Sequence, residues 1–221
     1  MWHCVHPHLP PQFVSVASAR PLFCLISLTS EISEQPMPAN PAPIPPAWPR
    51  QRPLQTIVGN FLPCPAFKLP SVAEAVEVDP ADGSRVLCQC HWQPQPNFAS
   101  SLTLILVHGL EGSSDSRCMQ GITVRAWDAG FNVVRMNMRN CGDTETYAPT
   151  LYHSGLSSDV AAVVRHFAAR LSLEQVALVG YSMRGNLVLK LVGEWGVRPP
   201  LAAVATVCPV IDLTHYCPVN S

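Results

Sequence analysis

Residues 175–196 read QVALVGYSMRGNLVLKLVGEWG. The first half is a short apolar run, as expected for a strand covered on both faces. The second half repeats apolar residues at helical spacing. It predicts a helix that buries Leu187, Leu191, Val192 and Trp195 and is stopped by Gly196 and Pro199. Ser182 stands at the junction of the two. A serine hydroxyl is a weak nucleophile until a base takes its proton, and a sharp strand-to-helix turn holds the oxygen clear of a sheet. The pattern for such a turn is G-x-S-x-G. Gly180 and Ser182 fit it, Arg184 occupies the place of the second glycine, and Gly185 follows one residue late.

The same alternation extends upstream. LTLILVHG (102–109) is a continuous apolar run, FNVVRMNMR (131–139) reads as another strand, and LAAVATVCPV (201–210) as the last. Between them Val160, Val163, Val164, Phe167, Ala168 and Leu171 form one apolar helix stripe, with Ser157 or Ser158 as its N-cap. EAVEVDPADGSRVLCQCHW (74–92) reads as a hairpin closed by the turn signal at 79–83. Strand–helix alternation of this kind predicts an α/β fold with a doubly wound, mostly parallel sheet. Ligands of such sheets lie beyond the carboxyl ends of the strands. The loops 108–114, 140–145 and 182–185 all leave from those ends.

These loops supply the candidate site. Ser182 is the candidate nucleophile, and the Met183 N–H at the helix N-terminus is one oxyanion donor. A hydrolase needs a second donor from the loop after an earlier strand, and the Leu110 N–H within HGLEGSS (108–114) is the candidate. Gly109, Gly112 and Gly180 let the backbone approach closely. Read alone, the same loop is a plain glycine-rich turn. His108 reads as a hydrogen-bonding residue that fixes the loop rather than as a base.

Composition narrows the partners. The 221 residues carry a formal net charge of -1, which gives no reason to expect nucleic acid or an acidic membrane surface. Nine cysteines, an odd number without zinc-type spacing, read as reduced thiols of a cytoplasmic protein, and no metal or cofactor is expected. The apolar run 13–28 is broken by Arg20 and Pro21, so it reads neither as a membrane span nor as a signal peptide. Fifteen of the 23 prolines fall within residues 1–70, which divides the chain. Residues 1–36 read as an unstructured or spurious extension and 37–70 as a proline-rich arm, with Met37 a candidate start. Residues 71–221 form the domain proper.

Taken together, VHGLEGSSDS (107–116), GFNVVRMNMRNCGDTE (130–145), LYHSGLSSDV (151–160) and GYSMRGNLVLKLVGE (180–194) resemble the lung-type alpha/beta hydrolases and their bacterial esterase relatives. The likeness runs from about residue 43 to residue 212. It implies an alpha/beta-hydrolase sheet, a Ser-Asp-His triad without metal, and small-molecule or lipid ester substrates. It aligns Ser182 with the nucleophile, and Leu110 and Met183 with the oxyanion hole. It sets the loop after strand 131–139 beside the site, where the residues alone also allow a capped turn closed by Gly142.

The departures define the remaining expectations. Members of that family continue after this strand with a cap segment, two more strands, the acid and the histidine, so the domain reads as incomplete, with strands up to about the sixth. Asp212 and His215 satisfy the chain order nominally, but Asp212 matches the start of the cap segment and the base normally comes from a later loop. His153 fares no better, and His166 reads as solvent-facing. The strand 201–210 is expected to form a bare, aggregation-prone edge. Arg184 leaves three readings: the turn relaxes so that Arg184 points out and Gly185 absorbs the bend, the turn distorts and misplaces the Met183 N–H, or the arginine is a sequencing or mutational accident. Distortion or accident is favoured over function, so that Arg184→Gly would raise activity in a complete domain. The reading is a serine hydrolase of carboxylic esters, impaired as this chain. The alternatives are an inactive fragment or pseudoenzyme of the same fold, and a binding module whose proline-rich arm recruits SH3-like or WW-like domains.

Overall fold

A computed structural model describes residues 67–94, 98–196 and 200–211, together with the backbone of two short strands nearer the N-terminus. Most of the proline-rich arm, Asp212 and His215 lie outside the described residues. In chain order the elements are β1 (Val14–Ser15), β2 (Phe23–Ser27), β3 (Val72–Asp79), β4 (Ser84–His91), β5 (Thr103–Val107) and α1 (Arg117–Asp128). Then come β6 (Asn132–Met136), α2 (Ser157–Leu171), β7 (Val176–Tyr181), α3 (Met183–Trp195) and β8 (Ala203–Val207). One sheet contains all the strands, in the order β1-β2-β8-β7-β5-β6-β4-β3. β6, β5, β7 and β8 are parallel, and the hairpin β3–β4 joins antiparallel through β6.

Local chemistry explains the hairpin. Asp79 Oδ1 accepts the Ala81 N–H at 3.0 Å and Asp82 Oδ1 accepts the Ser84 N–H at 2.8 Å, while Gly83 takes φ +70°. On one face of the sheet α2 and α3 close a core of Val86, Ile105, Val107, Val134, Met136, Val160, Phe167, Leu178, Leu187 and Leu191. On the other, α1 packs Met119 and Ala126 against Leu106, Val133 and Val179. α1 was not anticipated. Its buried residues Met119, Thr123 and Ala126 follow helical spacing, but Thr123 is polar and Gly121 interrupts the run, so the stripe is faint in sequence. Thr123 satisfies its hydroxyl by donating to Met119 O at 2.7 Å.

Three expectations need correction. Neither Ser157 nor Ser158 caps α2, because Leu156 is the N-cap; the Ser157 hydroxyl donates instead to Glu194 Oε2 at 2.5 Å. His166 is only 31% exposed, and its Nε2 lies 2.6 Å from Glu74 Oε1 on β3, so it docks α2 on the hairpin rather than facing water. The edge of β8 is not bare. Phe23–Ser27 pairs with it antiparallel, from Phe23↔Val207 to Ser27↔Ala203, which gives its outer backbone groups a partner.

The strand order sets the functional geography. From β5 the sheet runs to β6 on one side and to β7 on the other, so the direction of winding reverses at β5. At such a reversal a crevice opens beyond the strand ends. Val107 is level with both Met136 and Gly180, and Tyr181 with Val207, so the loops leaving all four parallel strands start at one height.

Candidate active site

The turn between β7 and α3 is the tightest feature of that crevice. Ser182 has φ 52° and ψ −123°, a conformation rarely tolerated outside glycine. Two hydrogen bonds hold it: the Ser182 N–H donates to Val207 O at 2.8 Å, and the Gly185 N–H to Ser182 O at 2.9 Å. A Cβ at position 180 would stand 2.5 Å from the Arg184 carbonyl oxygen, so only glycine fits there. Gly185 is nearly as confined, since a Cβ would meet Pro209 at 3.0 Å. Ser182 itself is exposed, and Met183, as the first residue of α3, has an N–H with no helical carbonyl behind it.

The loop after β5 lies against this turn. A Cβ at Gly109 would sit 3.6 Å from Ser182 Cβ, ordinary contact distance, which measures how closely the two loops meet. The Gly112 N–H donates to Gly109 O at 3.2 Å, and Glu111 adopts φ 54°, so 109–112 folds back as a turn that leaves Leu110 half exposed at its tip. His108 is completely buried beneath it. Its Nδ1–H donates to Gly109 O at 2.7 Å and its Nε2 accepts the Met138 N–H at 3.1 Å. Burial, with a smaller contribution from the charge of Arg184, pulls its pKa down to about 4. A neutral imidazole with both nitrogens engaged ties the β5 loop to the β6 loop and has no nitrogen left for a serine.

A second tie runs parallel to the first. The Ser114 N–H donates to Asn137 Oδ1 at 2.6 Å, and Gly142, at φ 68°, is required because a Cβ would lie 2.7 Å from Asn137 Nδ2. The capped-turn reading of 140–145 holds locally, with the Thr144 hydroxyl donating to Cys141 O at 2.9 Å. Among the described residues, six other than glycine have positive φ. Five of them (Glu111, Asn140, Asp143, Ser182 and Cys208) lie on loops at the carboxyl ends of β5 to β8. Positive φ therefore collects on the loops that leave the carboxyl ends of the parallel strands.

Residues 103–219 match the family profile described as the alpha/beta hydrolase fold, more than half of the chain. The chain belongs to the alpha/beta hydrolases. It is 32% identical over 117 residues to the putative esterase YheT of Escherichia coli, covering 52% of this chain and 34% of that protein. It is 32% identical over 114 residues to the embryogenesis-associated protein EMB8 of Picea glauca, covering 52% of this chain and 25% of that one. Mouse phospholipase ABHD3 is 29% identical over 104 residues, 47% of this chain and 25% of its own. The chain thus spans about a quarter to a third of the length of these relatives. Among solved structures, an a/b serine hydrolase without lid, XC6422 of Xanthomonas campestris, superposes with a TM-score of 0.47 at 24% identity, covering 59% of each chain.

Arg184 departs most from expectation for this alpha/beta hydrolase. The arginine's backbone is helical and its side chain runs inward rather than out to solvent. It is fully buried, with its guanidinium carbon 4.2 Å from the centroid of the Tyr152 ring. Tyr152, from the segment before α2, is the residue that sequence reasoning missed, and nothing local in LYHSG signals the contact. Two concavities, of about 430 Å3 beside Ser157, Lys190 and Trp195 and about 400 Å3 beside Leu173 and Leu201, lie elsewhere; neither includes Ser182, Leu110 or Met183. Among the described residues no group of side chains could hold a metal ion, and no helix is long and apolar enough to cross a membrane.

Proposed function

We propose that this alpha/beta hydrolase segment carries the nucleophile and oxyanion hole of a serine hydrolase acting on carboxylic esters, lipid esters included. The observation that carries the reading is the backbone of Ser182, φ 52° and ψ −123°, at a strand-to-helix turn pressed against Gly109. In the reaction the Ser182 oxygen bonds to the ester carbonyl carbon and the alcohol leaves, giving an acyl-enzyme. The Met183 and Leu110 N–H groups are the donors for the oxyanion, Gly180 keeps the turn tight, and His108, Gly109 and Gly112 hold the supporting loop. The names of the relatives, which include an esterase and a phospholipase, favour ester substrates.

The proton on Ser182 needs a base, and the hydrogen bonds of the described histidines run to groups other than Ser182. His91 Nδ1 is 2.7 Å from Pro70 O, His153 Nδ1 accepts the Gly155 N–H at 3.1 Å, and His166 meets Glu74. For the described residues alone, a residual nucleophile with slow turnover is the form of activity proposed. Removal of a triad member lowers rates by several orders of magnitude while binding and oxyanion stabilisation persist. The catalytically inactive form of the same fold is the competing reading. A fluorophosphonate probe separates them: labelling that disappears in Ser182→Ala supports the nucleophile, and an unlabelled wild-type chain supports the inactive form.

A further inference from the structure

Arg135 is a buried cation in the middle of the sheet, between Val134 and Met136 on β6. Its side chain is 2% exposed, and an arginine there costs desolvation that an apolar residue would not. What the arginine adds is direction, because its planar fork holds several partners in fixed geometry. Its Nη1 donates to Ser114 O and, at 3.0 Å, to Asp115 Oδ1. Its Nε donates to His91 Nε2 at 3.3 Å, and its guanidinium carbon stands 4.6 Å from the centroid of the Phe67 ring.

Two of these partners, Ser114 and Asp115, belong to the loop that carries Leu110. Asn137, two residues beyond Arg135, takes the Ser114 N–H, so β6 and its continuation clasp both backbone groups of Ser114. At the near end of the loop His108 is fixed to the Met138 N–H. Leu110 therefore projects from a loop anchored at both ends, and Arg135 is part of the far anchor. The other two partners fix Arg135 itself. Phe67 packs edge-on against the His91 ring with centroids 5.5 Å apart, and the His91 Nδ1–H donates to Pro70 O at 2.7 Å. Burial, with a smaller contribution from the charge of Arg135, lowers the His91 pKa below its ordinary 6.5. A neutral ring with its proton on Nδ1 leaves Nε2 to accept from Arg135.

We propose that Arg135 is a positioning residue for the loop of the Leu110 N–H, and that the end of the proline-rich arm, residues 67–70, locks it through Phe67 and His91. The consequence for catalysis rests on the reading of Leu110 as an oxyanion donor; the coupling of arm to loop does not.

Amide hydrogen exchange on the full chain tests the coupling. The N–H groups of residues 112–116 all have partners within the loop or on Asn137, so their exchange reports how firmly the loop is held. In Arg135→Met and in Phe67→Ala these amides are expected to exchange about five- to tenfold faster, with α2 and β7 unchanged. Phe67 is only half-buried, so its variant decides the matter even where Arg135→Met does not fold. Unchanged exchange in the loop, or equal acceleration through α2 and β7, would overturn the proposal; acceleration in Arg135→Met alone would overturn the role of the arm. Fluorophosphonate labelling of Ser182 gives the chemical readout. Its maximal rate is expected to fall about tenfold in both variants while the half-saturating probe concentration stays unchanged. Faster exchange with an unchanged labelling rate would overturn the positioning role. A wild-type chain that is not labelled counts against the nucleophile alone, because exchange decides the coupling by itself.

Discussion

His108 joins two strand-end loops through its two ring nitrogens, and it does so only while neutral. Its pKa of about 4 in the folded protein lies below the ordinary 6.5 of an unfolded chain. Between those values the unfolded state binds the extra proton. Stability is therefore full above pH 6.5 and falls as pH drops towards 4, by roughly 3 kcal/mol across the window. Urea midpoints at pH 7, 5.5 and 4.5 should show this decline, and His108→Gln should remove its share of it. Gly180 makes a sterically defined case. Gly180→Ala sets a methyl against the Arg184 carbonyl, so we expect a loss of about 1–3 kcal/mol and slower probe labelling of Ser182, read by denaturation and by labelling rate. At this scale the constraint on Gly180 was legible because it is local: the Arg184 carbonyl that a Cβ would meet lies four residues away. The fate of Arg184 was not. Its burial has no local signal, because Tyr152, which supplies the ring against it, lies 32 positions upstream.

Among the elements, α2 is the one most firmly tied to its neighbours by charge. Arg139, at the end of the β6 strand region, meets the wholly buried Asp159 of α2 in a two-pronged contact, Nε to Oδ2 at 2.7 Å and Nη2 to Oδ1 at 2.9 Å. Its Nη1 donates to the hydroxyls of Ser84 and Thr150, at 3.0 and 2.8 Å. One guanidinium thus joins the β3–β4 hairpin, the β6 loop and the start of α2. Arg139→Met would leave Asp159 buried and unpaired, at a cost of about 3–5 kcal/mol. Combining it with Asp159→Leu should restore much of that loss, because an apolar pair removes the orphaned charge. Chemical denaturation of the two variants checks both expectations. The α2 stripe and the β3–β4 hairpin were legible from periodicity and turn chemistry. The pair was not, since Arg139 and Asp159 lie on different elements and carry no local pattern. α1 stayed hidden for a different reason: its buried face includes a threonine whose hydroxyl is satisfied within the helix.

For the molecule as a whole, pairing between the first strands and the last sets the boundary of the sheet. β2 lies upstream of Met37, so a chain begun at Met37 would lack the strand that pairs with β8. We expect that shorter chain to self-associate with concentration while the full chain does so less, as sedimentation velocity would report; equal behaviour would count against the pairing. An exposed apolar strand edge is a template for another chain. Sequence reasoning weighed residues 13–28 as a membrane or signal segment and left a pairing strand unconsidered. A five-residue strand has no periodicity of its own, and its partner here is nearly the whole chain away. The parallel centre, by contrast, followed directly from alternating strand and helix patterns, because βαβ connections allow few topologies.

Ser182 is open to solvent, and neither of the two concavities described above reaches it. Enzymes discriminate between mirror-image acyl groups with walls that fit one hand and clash with the other. Ser182 as the proposed nucleophile, exposed on its turn, offers few such walls. For these residues alone, reactivity towards a chiral phosphonate should follow the leaving group far more than the configuration at phosphorus, so handedness would have to be conferred by further surface brought over the rim.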